Sequence, residues 1–387
     1  MGTRLKGRLG KALCIRLAAA VGLSLAVAAG ADAADIKIGF LGPLSGSAAV
    51  YGSETLAGVE FALAEINAAN AMGGDRIVLI PADTTANPGT AAQAAQRMVD
   101  IDEVLAILGG ATSAETAAAI EVTRQAKVLQ LSPLAQDASL TTQGNMWFAR
   151  TAQSATTFGA NAAKWVIREK QGKNVFLLVR NDNGNQSVAE AFAATAKALG
   201  ATPAGRVVYE PSAKDFKPIL AKMAEARPGF LVVLGLYTDT GLILKQMSEM
   251  QIKLPTYANT SPAIPQFRDI AGPGADGAFG GIYYLAGSID TQSGRDFLKN
   301  WQARYKRPPS QYEGMGYDSL YVLAESVKRA IKEKKLTREG VRDALFSIRD
   351  FPGATGSITI LKNGDVERPL PFVQLVGSDL KLDFLMK

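Results

Sequence analysis

The 387-residue sequence contains no histidine and a single cysteine, Cys14. Without histidine there is no imidazole metal site, no Ser-His-Asp triad and no Cys-His pair. One cysteine closes no intrachain disulfide. Low-complexity tracts are also absent, and past the first thirty-odd residues no apolar run approaches the roughly 20 residues that a bilayer requires. Charged residues make up 20% and apolar residues 47%. That is the composition of a globular chain and excludes a mainly disordered or fibrous one. The length suits about two or three domains.

The basic excess, 42 Lys+Arg against 36 Asp+Glu, gives a pI near 9.2 and would suit a nucleic-acid binder. Its distribution removes that reading. Arg4, Lys6, Arg8, Lys11 and Arg16 precede an apolar run from Leu17 to Ala29, and Ala31-Asp32-Ala33 supplies small residues at the −3 and −1 positions. This is the pattern of a cleaved secretory leader over residues 1–33, with the cut after Ala33. Cys14 precedes the apolar run, whereas a lipid-anchor cysteine follows it. Removing the leader takes away five basic residues and one acidic residue and leaves a formal charge of +2. No Lys/Arg stripe with interleaved aromatics remains, so no nucleic-acid partner is expected. The cysteine-free remainder suits an oxidising compartment, and the expected location is periplasmic.

Short β-rich apolar runs then alternate with helical patterns. Strands are predicted at residues 36–40, 77–81, 104–108 and 128–131, and again at 175–179, 206–209, 230–234 and 256–258. Leu56, Val59, Leu63 and Ile66 recur at helical spacing, and residues 113–126, 186–199, 240–250 and 320–331 read likewise. Such alternation predicts an α/β fold with parallel sheets covered by helices. The pattern occurs twice, about 140 residues apart, and predicts two lobes with a boundary near residues 150–154. A further strand is expected at 280–285, a helical stretch at 293–347 and another strand at 356–361.

The chemical motifs fail one by one. Gly42-Pro43-Leu44-Ser45-Gly46 lacks the spacing of a nucleophile elbow. Gly172-Lys173 lacks the upstream glycine of a phosphate loop. No Gly-x-Gly-x-x-Gly follows the first strand, so a dinucleotide site has no fingerprint. No metal site, no cofactor and no enzyme activity are expected, although carboxylate chemistry has no sequence signature that could exclude it. What remains is a set of polar loops at the carboxyl ends of strands, where open parallel sheets bind ligands. They are residues 41–52 with Ser45 and Tyr51, Gly109-Gly110-Ala111-Thr112-Ser113, Ser132-Pro133-Leu134-Ala135-Gln136-Asp137 and Asn181-Asp182-Asn183-Gly184-Asn185. In the second loop the glycines permit close approach to a ligand. Thr112-x-x-Glu115 is a capping box, and the helix it opens offers free N–H groups to a carboxylate.

An ordered series of residues runs through these loops. It comprises Ile38-Gly39-x-x-Gly42-Pro43-x-Ser45-Gly46, Tyr51-Gly52, Glu65-Ile66-Asn67, Gly73-Gly74, Asp83, Gly109-x-x-x-Ser113-x-x-Thr116, Ser132-Pro133 and Asp215-Phe216. Together they resemble the branched-chain amino-acid type of periplasmic solute-binding protein, the receptor subunit of an ABC importer. The resemblance implies the type I periplasmic-binding fold: two Rossmann-like lobes joined by a three-strand hinge, with the ligand between them. It also implies that residues 34–152 and 286–347 form lobe 1, and residues 153–285 and 348–387 lobe 2.

The resemblance carries a ligand set over position by position. Tyr51 matches a pocket aromatic, Ser113 (beside Thr112) a carboxylate-binding residue, and Tyr312 an aromatic wall. Gln136 stands where amino-acid binders have threonine, Asn183 where they have an aromatic, and Leu236 or Tyr237 at a further polar or aromatic pocket position. Thr260 stands where they place a carboxylate for the substrate ammonium. Unless Asp182 or Asp239 reaches the site, an ammonium there would be buried without a partner. A small carboxylic acid or amide without an amine therefore fits better, with aromatic acids, short amides, urea and amino acids all open. The implied partners are the ligand and the permease subunits in the inner membrane. The receptor would act as a monomer, closing on its ligand by population shift. The alternatives are a sensor domain of the same fold, against which the chain end at Lys387 is expected to count, and a secreted α/β enzyme.

Overall fold

The computed structural model describes residues 34–386 apart from 143, 202, 289 and 290. The leader over residues 1–33, its cut after Ala33 and Cys14 lie outside the described residues.

The first sheet comprises β1 (Asp35–Gly42), β2 (Arg76–Asp83), β3 (Ala106–Gly109), β4 (Leu129–Ser132) and β5 (Phe148–Arg150) in the order β2-β1-β3-β4-β5. All its pairs are parallel. Its helices are α1 (Ala49–Ala68), α2 (Pro88–Asp100), α3 (Ser113–Gln125) and the single turn α4 (Ser139–Thr142). Both faces are covered, as a parallel sheet requires. Ile36, Ile38 and Phe40 share one face of β1 and pack with Val59 and Ile66 of α1. Leu41 and Ile107 face the other way, against Ala95, Met98 and Ala119. The three-residue β5 was not anticipated; it is too short to show a periodicity.

The second sheet contains β6 (Val175–Arg180), β7 (Gly205–Tyr209), β8 (Phe230–Leu234), β9 (Thr256–Tyr257) and β10 (Phe279–Gly281). With it run α5 (Ala155–Lys164), α6 (Asn183–Ala198), α7 (Lys217–Glu225), α8 (Tyr237–Glu249) and α9 (Pro265–Ala271). α6 starts three residues earlier than its apolar spacing suggests, because the Asp182 carboxylate caps the N–H of Asn185 at 2.8 Å. After α10 (Gln292–Tyr305), α11 (Gln311–Lys332) and α12 (Arg338–Phe346) come a small antiparallel sheet, β11 (Phe351–Gly353), β12 (Gly356–Ile360) and β13 (Val366–Glu367), and a hairpin, β14 (Leu370–Val376) and β15 (Asp379–Met386). The hairpin adds an antiparallel edge to the second sheet, whose order is β15-β14-β10-β9-β8-β6-β7.

The expected placement of residues 348–387 in lobe 2 holds only for the hairpin. Ile348, Ala354, Ile358, Ile360 and Val366 pack into the core of the first sheet with Leu320, Leu323 and Val327 of α11. The cause is Asp318 on α11, which accepts the N–H groups of Ala354 and Thr355 at 2.7 and 2.8 Å. The chain thus passes between the sheets along residues 151–154, 282–288 and 368–369. Arg368, 6% exposed, lies where these passages meet. It donates to the Thr151 carbonyl at 2.9 Å and to the Tyr283 carbonyl at 3.1 Å.

Candidate functional site

The carboxyl ends of both parallel sheets face a cavity of about 440 Å³. A parallel strand that feeds a helix leaves its polar turn at that end, so each lobe contributes helix N-termini to the same space. From the first lobe comes α3. Thr112 caps it, and the Glu115 carboxylate takes the N–H groups of Ala111 and Thr112 at 2.6 and 2.7 Å, which confirms the capping box. The next two N–H groups, of Ser113 and Ala114, have no intrahelical acceptor, and both residues line the cavity. The Ser113 hydroxyl accepts from the N–H of Asp137 at 3.1 Å. Its own hydrogen is therefore available as a third donor.

From the second lobe comes α6. Asn183, Gly184 and Asn185 line the cavity, and a Cβ added at Gly184 would stand 3.0 Å from the Ser113 hydroxyl. The two helix N-termini are that close. Further bonds join the lobes: Thr260 to Tyr312 through their hydroxyls at 3.3 Å, Gln311 to the Thr260 carbonyl at 3.2 Å, and Ala138 N–H to the Ser187 hydroxyl at 3.3 Å.

Eight expected residues line the cavity: Tyr51, Thr112, Ser113, Gln136, Asn183, Leu236, Thr260 and Tyr312. Tyr51 and Tyr312 meet edge to face with centroids 5.2 Å apart. Burial pushes both phenols well above their ordinary pKa, so each keeps its proton. Two expectations are corrected. Ser45 does not line the cavity. Its hydroxyl donates to Asp83 at 2.6 Å and fixes the β1–α1 turn to the end of β2. Tyr237 stands behind Tyr51, with ring centroids 6.0 Å apart, and bonds across the lobes instead of forming a wall. Gly109 and Gly110 do not line it either. Gly109 has a φ of +138° and a Cβ there would meet the Leu41 carbonyl at 2.1 Å, while one at Gly110 would meet Thr116. Packing, rather than a ligand, requires these glycines.

The acids expected to decide the ammonium question are both engaged. Asp182 lines the cavity. Its two oxygens take the Asn185 N–H at 2.8 Å, the Asn185 side-chain amide at 2.8 and 3.1 Å, and Arg180 Nε at 3.0 Å. Both oxygens are thus engaged, by Asn185 and by the Arg180 guanidinium. Asp239 is buried and paired with the other side of the Arg180 guanidinium. Arg180, Asn259 and Tyr283 line the cavity without having been anticipated, whereas Asn185 belongs to the fourth expected loop. Arg180 and Asn259 end or follow strands that were predicted, so the strand-end rule applied one residue further would have found them. Among the described residues no group of three or more acidic or cysteine side chains is placed to hold a metal, and no helix is long and apolar enough to cross a membrane.

Residues 35–379 match the periplasmic binding protein family. The Leu/Ile/Val-binding protein BraC3 of Rhizobium johnstonii is 28% identical over 86% of this chain and 89% of its own length. Among solved structures, the branched-chain amino acid transporter substrate-binding protein LivJ of Streptococcus pneumoniae, in complex with isoleucine, superposes with a TM-score of 0.82 at 25% identity, covering 91% of this chain and 98% of that one. A solute-binding protein of an ABC transporter from R. palustris, in complex with benzoate, superposes with a TM-score of 0.80 at 18% identity, covering 91% and 96%.

Proposed function

For a chain that belongs to the periplasmic binding protein family, we propose the role of an exported, monomeric receptor of an ABC importer that captures a small carboxylate-bearing solute without an amine. The supporting observation is the meeting of Ser113 with Gly184, two helix N-termini from opposite lobes, beside a cavity whose lining carboxylate, Asp182, is already bonded to Asn185 and paired with Arg180. The α3 terminus supplies three donors to a carboxylate, and its dipole favours negative charge. An ammonium at the same site would face Asp182 already paired with Arg180 and bonded to Asn185, and Asp239 already paired, which carries a desolvation penalty. The cavity volume suits a ligand of about ten heavy atoms, enough for micromolar binding near −8 kcal/mol. Closure over the ligand creates the shape that docks on the permease, and the solute passes on unchanged.

A branched-chain amino acid is the second reading, favoured by the named ligands of the Rhizobium relative. A thermal-shift panel of leucine, acetamide, urea, benzoate and hydroxycinnamate separates the two. Stabilisation by the acids and not by leucine is expected. A large shift with leucine and none with the acids overturns the reading. Recovery of the bound compound chemically unchanged separates a receptor from an enzyme.

A further inference from the structure

We propose that Asn259 Oδ1 is the specificity-determining acceptor of this site and reads a neutral hydrogen-bond donor, a hydroxyl or an amide N–H, on the ligand. The inference rests on the carboxylate reading above and extends it to a second group on the ligand. Asn259 is 7% exposed and lines the cavity, and its Oδ1 is buried with no hydrogen-bond partner among the described residues.

A chain of bonds fixes which amide atom is left without a protein partner. A carboxylate only accepts. Asp182 therefore draws the NH2 of Asn185 toward itself, at 2.8 and 3.1 Å. That turns Asn185 Oδ1 outward, where it accepts from Asn259 Nδ2 at 3.3 Å, while the Gly235 carbonyl accepts from the same nitrogen at 3.4 Å. With both neighbours of Nδ2 acceptors, the Asn259 amide has one orientation, and its oxygen is left unpaired. Arg180 Nε pairs with Asp182 Oδ2 at 3.0 Å at the start of this relay.

The backbone is fixed as well. Asn259 has a φ of +52°, in the left-handed region that asparagine tolerates better than most residues. Its carbonyl accepts from Gly281 N–H at 3.1 Å. An oxygen held this rigidly cannot turn to find another partner, so a ligand that brings a donor gains affinity and a ligand that brings a methyl or a hydrogen leaves the oxygen unpaired. A neutral donor suits it better than an ammonium, because an amide oxygen supplies no counter-charge.

Three pairs of acids that differ in one terminal hydroxyl test this: 4-hydroxybenzoate with benzoate, 4-hydroxyphenylacetate with phenylacetate, and 4-hydroxybutyrate with butyrate. Each is titrated calorimetrically into the purified protein and into Asn259→Gly, which keeps the left-handed backbone without strain. For the pair that fits the cavity, the hydroxylated member should bind at least about tenfold tighter to the parent. In Asn259→Gly the ratio should fall to about one. Equal affinities within the pair, or a preference that survives in Asn259→Gly, overturn the proposal and leave the carboxylate reading standing. Leucine binding while every acid fails overturns both.

Discussion

The phenol of Tyr51 accepts the backbone N–H of Tyr237 at 3.3 Å, and the Tyr237 phenol donates to the Ser47 carbonyl at 3.4 Å. Tyr51 lies in the first turn of α1 and Tyr237 opens α8, so the pair latches one lobe to the other beside the cavity. The N-cap residue of α8, Leu236, offers no side-chain cap. The hydroxyl of Tyr51 fills that role from across the cleft. Tyr51→Phe removes it, and in the closed form the N–H of Tyr237 is left unpaired, at a cost of about 1–2 kcal/mol. The affinity of the cognate ligand should fall about tenfold. The melting temperature of the ligand-free protein should stay nearly constant, because an open cleft hydrates the same N–H. A calorimetric titration and a melting curve read the two quantities, and an unchanged Kd would remove the latch from the mechanism.

Ser113→Ala deletes one of three donors at the α3 terminus while Thr112 and Glu115 still start the helix. A hydrogen bond to a charged group contributes about 1.5–3 kcal/mol, so carboxylate affinity should fall at least tenfold or so. An uncharged amide of the same skeleton should lose only about threefold. Affinities that respond equally for acid and amide would mean that the hydroxyl does not meet the charge.

How much of this was readable before any coordinates depended on range. Parallel strands buried on both faces, such as 175–179 with Val175, Phe176, Leu177, Leu178 and Val179 all buried, are continuous apolar runs and declare themselves locally. Ser113 and Gln136 were found because polar loops at strand ends are local too. Asn259 was missed because it stands one residue beyond the predicted strand, and its bonds to Asn185 and Gly235, both far away in sequence, left no local signal. Ser45 was misread for the same reason: its partner, Asp83, belongs to the neighbouring strand. The small sheet β11–β13 was assigned to the wrong lobe because Asp318, which anchors it, sits on a helix more than thirty residues upstream. Period and turn chemistry are written in neighbouring residues; the choice of polar partner across the fold is not.

The corrected role of Ser45 makes its own prediction. Asp83 is slightly desolvated, which raises its pKa, but bonds from the Ser45 hydroxyl and from the N–H groups of Leu44 and Thr85 outweigh this and hold it below the ordinary 3.8. A carboxyl lowered on folding adds stability in full above its unfolded value, and that share is lost as pH falls through the folded value. The site is largely solvent-facing, so the share is small, under about 1 kcal/mol. Ser45→Ala should leave ligand affinity within about twofold. Its urea midpoint should lie slightly below the parent's at pH 7, and the gap should close on acidification below 3.8. A large loss of affinity would return Ser45 to the binding site.

Arg368 concentrates the hinge in one side chain. Its guanidinium donates to Thr151 and Tyr283, on the other two passages between the lobes, and to the Thr355 hydroxyl at 2.6 Å. Burial pushes its pKa down, and the charge of Asp318 opposes that; burial likewise pushes the Asp318 carboxyl up, against bonds from Thr355 and Ala354. Each ion is thus tolerated because the other is there. Arg368→Met leaves Asp318 buried without its counter-charge and frees two backbone carbonyls, and it should destabilise the protein by about 3–5 kcal/mol. The double variant Arg368→Met/Asp318→Asn separates the two causes in urea unfolding. Recovery of most of the loss means that the stranded charge was the cost. No recovery means that the bonds to Thr151 and Tyr283 were. In the second case, small-angle scattering should also show a broader spread of lobe orientations without ligand, because the three passages would no longer share a common anchor.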